Sequence, residues 1–565
     1  MSLSKLQFGA RHKNRFVIHE LEVADQTRLV SSSEKSFDVP DCRCLVYSHD
    51  GATLLVGSGA DRTLLVNANS VDVDIQIPYA SDDAMFSPKG SFFAIHKTVY
   101  KADTPSLFIF KRGAEDTPLM SLTQPSDELW KPVWSADETA LCIYQEPSLR
   151  FFELTPENTY EKNNSTLPPL HLKNLKTFSI SPTDPSTIAF FSKPSSKSSE
   201  FAQITITKRT SDQSTPTPSY STINSFKLAT IDSVDLEWTP EGSGVLALIR
   251  NSSSSVQSYY GSSTLRFVSA DASRESETIE NSGGQIVHCV CMRPMADHQG
   301  IVEFCVVFAQ SKVAIYTLTA SSAVSKRQPL IQSGNAMRNG GLYSPNGHCL
   351  ALTGSGNVPG YLEIWHRKTK QAKNDDIPLA SYQLVSARDL VTPTCFRFSY
   401  DGRFLIAATT TPRLRQDNQY EVFNLIGESL FQVKCEQEAL YDIVCKTCFY
   451  EPLTNTDVQQ IMRLASEPKN GQTKNDDETT VAQPNKPKKV KPVVQVKETP
   501  KYVPPFLRAG ADGGAYQGVP GLAPPPGGRA NRAGLANRGT PTGRKMKKIR
   551  WGAPATKLDD DQKPE

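Results

Sequence analysis

The chain has 565 residues, 38% of them hydrophobic, 21% charged and 8% aromatic, with a formal net charge of +3. That apolar share lies below the roughly 45–50% of ordinary globular domains, so a polar segment dilutes a folded part. No apolar run approaches the ~18 residues that span a bilayer, and the start, MSLSKLQFGARHKNRF, has no apolar stretch leading to a small-residue cleavage site, so neither a membrane nor a secreted protein is expected.

Taken in chain order, RFVIHELEV (Arg15–Val23) reads as an orphan strand. A short element then recurs: an apolar strand ending in an aromatic or apolar residue, a Ser or Thr, a turn, and a second apolar strand. It reads YSHDGATLLVG from Tyr47, FSPKGSFFAIH from Phe86, WSADETALCIY from Trp134 and ISPTDPSTIAFF from Ile180. It continues as WTPEGSGVLALI from Trp238, YSPNGHCLALTG from Tyr343 and FSYDGRFLIAAT from Phe398. A degenerate copy starts at Met292 and a truncated one, FYEP, at Phe449. The Pro/Asp-Gly centre is hairpin chemistry, because glycine accepts the positive φ of a tight turn.

Aromatic-bearing strands follow the copies, among them LFIFKR from Leu107, LRFFEL from Leu149 and YLEIW ending at Trp365. The anchors recur about every 50 residues, the period of a four-stranded propeller blade. The predicted fold is all-β, a WD40-type β-propeller of residues 1–452. The eight turn copies set eight blades as a minimum. The end strands Arg15–Val23 and Ala439–Tyr450 contribute half a blade each to a ninth, which removes two exposed sheet edges. NTDVQQIMRLASE (Asn455–Glu467) is predicted as a short helix within a 453–467 linker, capped by Asn455 or Thr456, with a stripe of Ile461, Leu464 and Ala465. Residues 468–565, rich in Pro, Gly, Lys and Arg, are expected to form a disordered tail.

Most of the eleven cysteines lie inside apolar strand-like runs and are expected to be reduced core residues. The CxC pairs Cys42/Cys44 and Cys289/Cys291 should each place both side chains on one strand face. Cys445 and Cys448 form a lone CxxC with no second pair, so no metal is expected. No GxSxG elbow occurs, and the glycine-rich stretches at Gly57, Gly242 and Thr353 lack the Lys-Ser/Thr of a phosphate loop. The reading is a scaffold without catalytic residues or cofactor.

Charge is uneven. Between Val481 and Trp551 fifteen Lys and Arg face two acids, a local charge of +13 that leaves −10 for the remainder. In QPNKPKKVKP, Lys486, Lys488, Lys489 and Lys491 alternate with prolines that keep the backbone extended along a phosphate chain. In GGRANRAGLANRGTPTGRKMKKIRW, Arg529, Arg532, Arg538 and Arg544 precede a cluster of Lys545, Lys547, Lys548 and Arg550, and Trp551 offers a stacking face. These are candidate RNA contacts; the competing reading is a solvated linker and tail. A third candidate is the loop TTTPRLRQDNQY with Arg413 and Arg415, for which a salt bridge to Asp417 or a neighbouring blade is the alternative. YVPPFLR, with Tyr502, Phe506, Leu507 and Arg508, reads as a partner-docking motif, and its adjacent prolines exclude a helical mode.

The segments SYYGSSTLRFV (258–268), YSPNGHCLALTGSGNVPGYLEIW (343–365), TPRLRQDNQYEVFNLIGE (411–428) and KYVPPFLR (501–508) resemble the eukaryotic translation initiation factor 2A family. That is the single-chain factor, distinct from the alpha subunit of initiation factor 2. The resemblance implies a nine-bladed propeller and a non-enzymatic, monomeric, cytoplasmic factor. It also implies association with the small ribosomal subunit and GTP-independent binding of initiator methionyl-tRNA, at non-standard start sites or under stress. mRNA and other initiation factors are further implied partners. The family's larger members carry a Lys/Glu-rich helical segment that the Gly/Arg/Pro-rich 468–565 does not match. A protein-interaction scaffold of the WD-repeat class, without a direct RNA role, is the second reading.

Overall fold

In the computed structural model of the chain, the described residues run from Leu3 to Ser466, apart from interior segments such as 252–260 and 369–379. They form nine four-stranded antiparallel sheets, each built in simple consecutive order except the first. Blades 2 to 9 occupy residues 42–77, 83–122, 133–171, 175–228, 233–281, 287–331, 340–390 and 395–434. First strands of neighbouring blades touch one another, which places them on the inside of the ring. The nine-bladed propeller expected from the repeats is thus present.

The closing blade differs from the expectation of two equal halves. Its four strands are Leu3–His12, Arg15–Ala24 and Arg28–Asp38 from the N-terminal end and Leu440–Cys445 from the C-terminal end. Leu440–Cys445 takes the innermost place and pairs with Leu3–His12, a strand beyond the two expected, so Arg15–Ala24 lies one strand further out. The outermost strand, Arg28–Asp38, is almost wholly exposed. A strand that half-buries only Leu29 and Phe37 shows no apolar period, and this one reads as polar linker.

Nine apolar clusters fill the nine gaps between blades. Leu350 and Leu352 pack toward blade 7, whereas Ala351 between them packs toward blade 9. Both faces of each inner hairpin are therefore covered, which explains why second strands such as Ile301–Phe308 are buried at every position.

The recurring Ser has a defined job in the first hairpin turn. The hydroxyls of Ser135, Ser344 and Ser399 each donate to the Asp or Asn two residues on, at 2.6 Å in all three. Each also accepts the N–H of the first residue of the next strand at 2.9–3.0 Å. Gly51 then closes its turn with φ 65°, donating its N–H to the Ser48 carbonyl at 2.8 Å. Blade 4 has Glu138 in that place, with φ 63°. Its carboxylate accepts the Lys89 N–H of blade 3 at 2.6 Å, offsetting the left-handed cost by joining two blades.

A helix, α1 (Asn455–Ser466), lies on the face bearing these turns, over blades 8 and 9. Leu453, Val458 and Ile461 are buried against Cys349 and Leu425. The Leu453 carbonyl accepts from Asn346 Nδ2 at 3.1 Å. The cap is Thr454, one residue before those expected: its Oγ1 accepts the Asp457 N–H at 3.2 Å, and the Asp457 carboxylate accepts the Thr454 N–H at 2.9 Å. This is a capping box with Asp in the third place. The buried stripe likewise starts a turn earlier, at Val458, than the expected Ile461, Leu464 and Ala465.

The cysteine expectation needs one correction. Cys289 and Cys291 do share one cluster. A register shift between Cys42 and Cys44, however, turns Cys42 toward blade 1 and Cys44 toward blade 3. Among the described residues no disulfide forms, and burial pushes the thiols of Cys42 and Cys44 up to about 12. Cys448 lies outside the described residues.

Ring closure contains a buried histidine. His19 Nε2 and the Tyr420 hydroxyl are hydrogen-bonded at 2.6 Å, joining blades 1 and 9, and the His19 ring stacks on Phe8. Burial, with a smaller contribution from the His12 charge, lowers the His19 pKa from 6.5 to about 4. The unfolded chain therefore binds this proton first on acidification, so its contribution is intact above pH 6.5 and lost as pH falls toward 4. Guanidinium titrations at pH 7 and pH 4.5 should differ by up to ~3 kcal/mol through this group, and His19→Gln should reduce the difference. In the same assay Glu138→Ala should cost about 1–2 kcal/mol, and Glu138→Gly about 1 kcal/mol less than that, because glycine accepts the turn conformation.

Candidate functional site

The arginines near the most specific stretches of the resemblance divide into two groups. Arg367 and Arg338 are buried. Arg367 grips Glu303 of blade 7 through Nε at 3.0 and 3.3 Å and Nη2 at 3.2 Å. Tyr382 also donates to Glu303, and the Tyr343 and Tyr382 hydroxyls lie 2.9 Å apart. Burial, then the Glu303 charge, hold the Tyr382 phenol well above its ordinary value, so it stays a neutral donor. Burial alone would lower the Arg367 pKa, but Glu303 more than offsets it and the net direction is up.

The second buried pair is Arg338 with Glu363, Nε to Oε2 at 2.8 Å. Tyr361 and Trp365 donate to the same carboxylate at 3.1 and 3.0 Å. Residues 361, 363 and 365 alternate along one strand, which places all three side chains on one face. Arg338 also reaches the Ser311 carbonyl of blade 7 at 3.4 Å. The YLEIW motif is thereby accounted for as architecture, since it locks blade 8 to blade 7.

Arg413 and Arg415 behave differently. Both are exposed, and among the described residues neither makes an ion pair or a hydrogen bond, including to Asp417. The salt bridge to Asp417 or a neighbouring blade is not formed among the described residues. Their loop, between the second and third strands of blade 9, is nonetheless firmly shaped. Asn418, buried beneath it, donates to the Leu414 carbonyl at 2.9 Å and accepts from Thr411 Oγ1 at 2.9 Å and from the Leu440 N–H at 3.0 Å. The Arg413 guanidinium lies over Gly356 of blade 8, so closely that a Cβ there would sit 2.0 Å from Nη2. Gly356 also has φ 69° and donates its N–H to the Pro393 carbonyl at 3.0 Å. The GSGNVPG loop is thus glycine-rich because neighbouring loops close over it.

Two features of this surface were invisible in the sequence. Met337 and Val391, 54% and 62% exposed, flank the GSGNVPG loop. The Met337 carbonyl abuts Gly354, and Val391 sits on a turn whose carbonyl accepts from Thr409 Oγ1 at 3.2 Å. No periodicity marks a residue whose distinction is being left exposed. The other candidates, Lys486, Lys488, Lys489, Lys491, Tyr502, Phe506, Leu507, Arg508, Arg529, Arg532, Arg538, Arg544, Lys545, Lys547, Lys548, Arg550 and Trp551, lie outside the described residues. Among the described residues no His/Cys/Asp/Glu group could hold a metal ion, and no helix is long and apolar enough to cross a membrane.

Fold and surface together define a nine-bladed propeller of WD type that displays a mixed basic and apolar loop patch. The family model described as "Eukaryotic translation initiation factor eIF2A" matches residues 227–443, the stretch that contains both buried arginine networks and the Arg413 loop. The chain is 26% identical over 455 residues to eukaryotic translation initiation factor 2A of Drosophila melanogaster, covering 78% of this chain and 62% of that protein. It is 30% identical over 232 residues to the Saccharomyces cerevisiae factor of the same name, covering 40% and 33%. A solved structure titled "Crystal structure of the eukaryotic initiation factor" superposes with TM-score 0.57 at 20% identity, covering 80% of this chain and all of that one, which supports the fold. The match to the eukaryotic translation initiation factor 2A family thus rests on residues 227–443 and on these relatives, and the resemblance read from the sequence is borne out. It spans less than two thirds of the length of these two curated relatives.

The two arginine groups should respond oppositely to truncation. Arg367→Ala leaves Glu303 buried without its counter-ion and should cost about 3–5 kcal/mol in chemical denaturation. Arg413→Ala and Arg415→Ala should each stay within about 0.5 kcal/mol of the parent.

Proposed function

We propose that the chain is a non-enzymatic translation initiation factor of the cytoplasm. It associates with the small ribosomal subunit as a monomer and promotes GTP-independent binding of initiator methionyl-tRNA, at non-standard start sites or under stress. The observation that carries this reading is the family match over 227–443, which coincides with blades whose loops present Arg413 and Arg415 without a partner among the described residues. The basic segment Val481–Trp551 supplies the RNA contact, with Lys486 to Lys491 and Arg529 to Trp551 neutralising phosphates and Trp551 stacking on a base. Since the rest of the chain is net negative, contact through the propeller is local rather than a general attraction to polyanions. The YVPPFLR motif, through Tyr502, Phe506, Leu507 and Arg508, docks a further initiation factor. The scaffold reading keeps one supporting observation, the exposed Met337 and Val391, which suit a protein contact better than a phosphate.

Deleting 484–551 should weaken binding of single-stranded RNA roughly 100-fold at 150 mM salt and flatten its salt dependence. Sucrose-gradient sedimentation with purified small subunits should show reduced co-migration for this deletion and for the Arg413→Glu/Arg415→Glu double variant. Unchanged RNA affinity after the deletion would exclude the basic segment as the RNA contact. If neither the parent nor any variant entered the small-subunit peak, the initiation-factor reading would fail and the scaffold reading would replace it.

A further inference from the structure

Single exposed aliphatic residues are ordinary on a protein surface. Met337 and Val391 differ in their setting. Both lie in connections that lead into a blade's first strand, on the same face as the GSGNVPG and Arg413 loops, because all of these connect strands at the same end of the sheets. Backbone contacts join the loops into one piece. The Met337 carbonyl meets Gly354, Gly356 N–H donates to the Pro393 carbonyl, and Thr409 Oγ1 bonds the carbonyls of Val391 and Thr392 at 3.2 and 3.1 Å. Pro359 and Pro412 on the same loops are exposed as well. The result is a preformed surface of aliphatic and proline side chains, with two guanidinium groups beside it that have no partner among the described residues.

Phosphate backbones are met by cations among polar neighbours and by backbone N–H groups. Protein interfaces, by contrast, are enriched in Met and Arg and poor in Lys, with apolar contact at the centre and charge toward the rim. The patch has the second composition. Arg413 and Arg415 are forks suited to carboxylates, and no carboxylate of the described chain engages them. We infer that this face of blades 8 and 9 binds a protein segment carrying Asp or Glu beside apolar residues, with the apolar side chains on Met337 and Val391 and the carboxylates on Arg413 and Arg415. The inference rests on the small-subunit docking proposed above and names the kind of component contacted there, a protein rather than ribosomal RNA.

The test uses the full-length chain with p-benzoylphenylalanine replacing Val391 or, separately, Met337, irradiated with purified small ribosomal subunits. Val30, exposed on the outermost strand of blade 1, is the control position. The expected adduct resists ribonuclease, is destroyed by protease, and maps by mass spectrometry to a segment with acidic residues flanking apolar ones. Its yield should fall at least tenfold when Arg413→Glu/Arg415→Glu is added, in a variant whose thermal melting is unchanged. An adduct removed by ribonuclease would assign the face to RNA and overturn the inference. So would a protein adduct indifferent to the arginine changes, or the absence of an adduct at 391 and 337 while the factor still co-sediments. Failure to co-sediment would instead remove the docking proposal, and the inference with it.

Discussion

A sheet with both faces apolar has to be covered twice, and that requirement organises this molecule. The second strand of each blade alternates its side chains between two different neighbours, so no blade can be stable alone or at the end of a row. Only a closed ring gives each of the nine sheets two partners. Closure in turn requires the two ends of the folded part to build one blade together, with Leu440–Cys445 inserted between the ring interior and Leu3–His12. The His19–Tyr420 bond and the aromatic stack on Phe8 lie at this seam, where blade 9 meets strands more than four hundred residues earlier in the chain. Long-range pairing of this kind closes late, because its loop entropy has to be overcome before it contributes.

The same constraint decides what could be read from the sequence. Inner hairpins are buried on both faces and joined by turns with fixed chemistry, so their copies stand out: an apolar run, Ser or Thr, a turn residue, an apolar run. Eight blades followed from counting them, and the ninth from pairing the two end strands. Outer strands bury little and were missed or shifted. Arg28–Asp38 looks like linker because eight of its eleven positions carry polar or charged side chains. Leu3–His12 does carry a strand period, Leu6, Phe8 and Ala10 alternating with Lys5, Gln7, Gly9 and Arg11, but it lacks the recurring turn copy by which the other blades were found. The bulge that separates Cys42 from Cys44 has no signature in a CxC spacing, and the Thr454 cap is followed directly by two equally good capping residues, Asn455 and Thr456.

At the candidate site, sequence could nominate charged residues but not sort them. Arg338, Arg367, Arg413 and Arg415 are chemically alike, and only packing separates them. Two have carboxylates brought from strands of the same or the next blade, Glu363 and Glu303, inside the ring where a lone charge would be costly. Two stand on a loop with no partner among the described residues. Those buried pairs are better understood as fixing the register of blades 7 and 8 than as net stabilisation, since removing one partner costs far more than the pair contributes.

Closure and recognition meet in one residue. Leu440 opens the strand that completes the ring; its carbonyl accepts the Thr411 N–H at 2.6 Å, and its N–H donates to Asn418. Both of those residues bracket the turn bearing Arg413 and Arg415. The loop therefore takes its shape from the strand that completes the propeller, and Arg413 is held over Gly356 by a loop that this strand anchors. An incompletely closed ring would carry the same side chains without presenting them together. This couples the binding surface to the integrity of the whole fold, although none of its residues lies in the core.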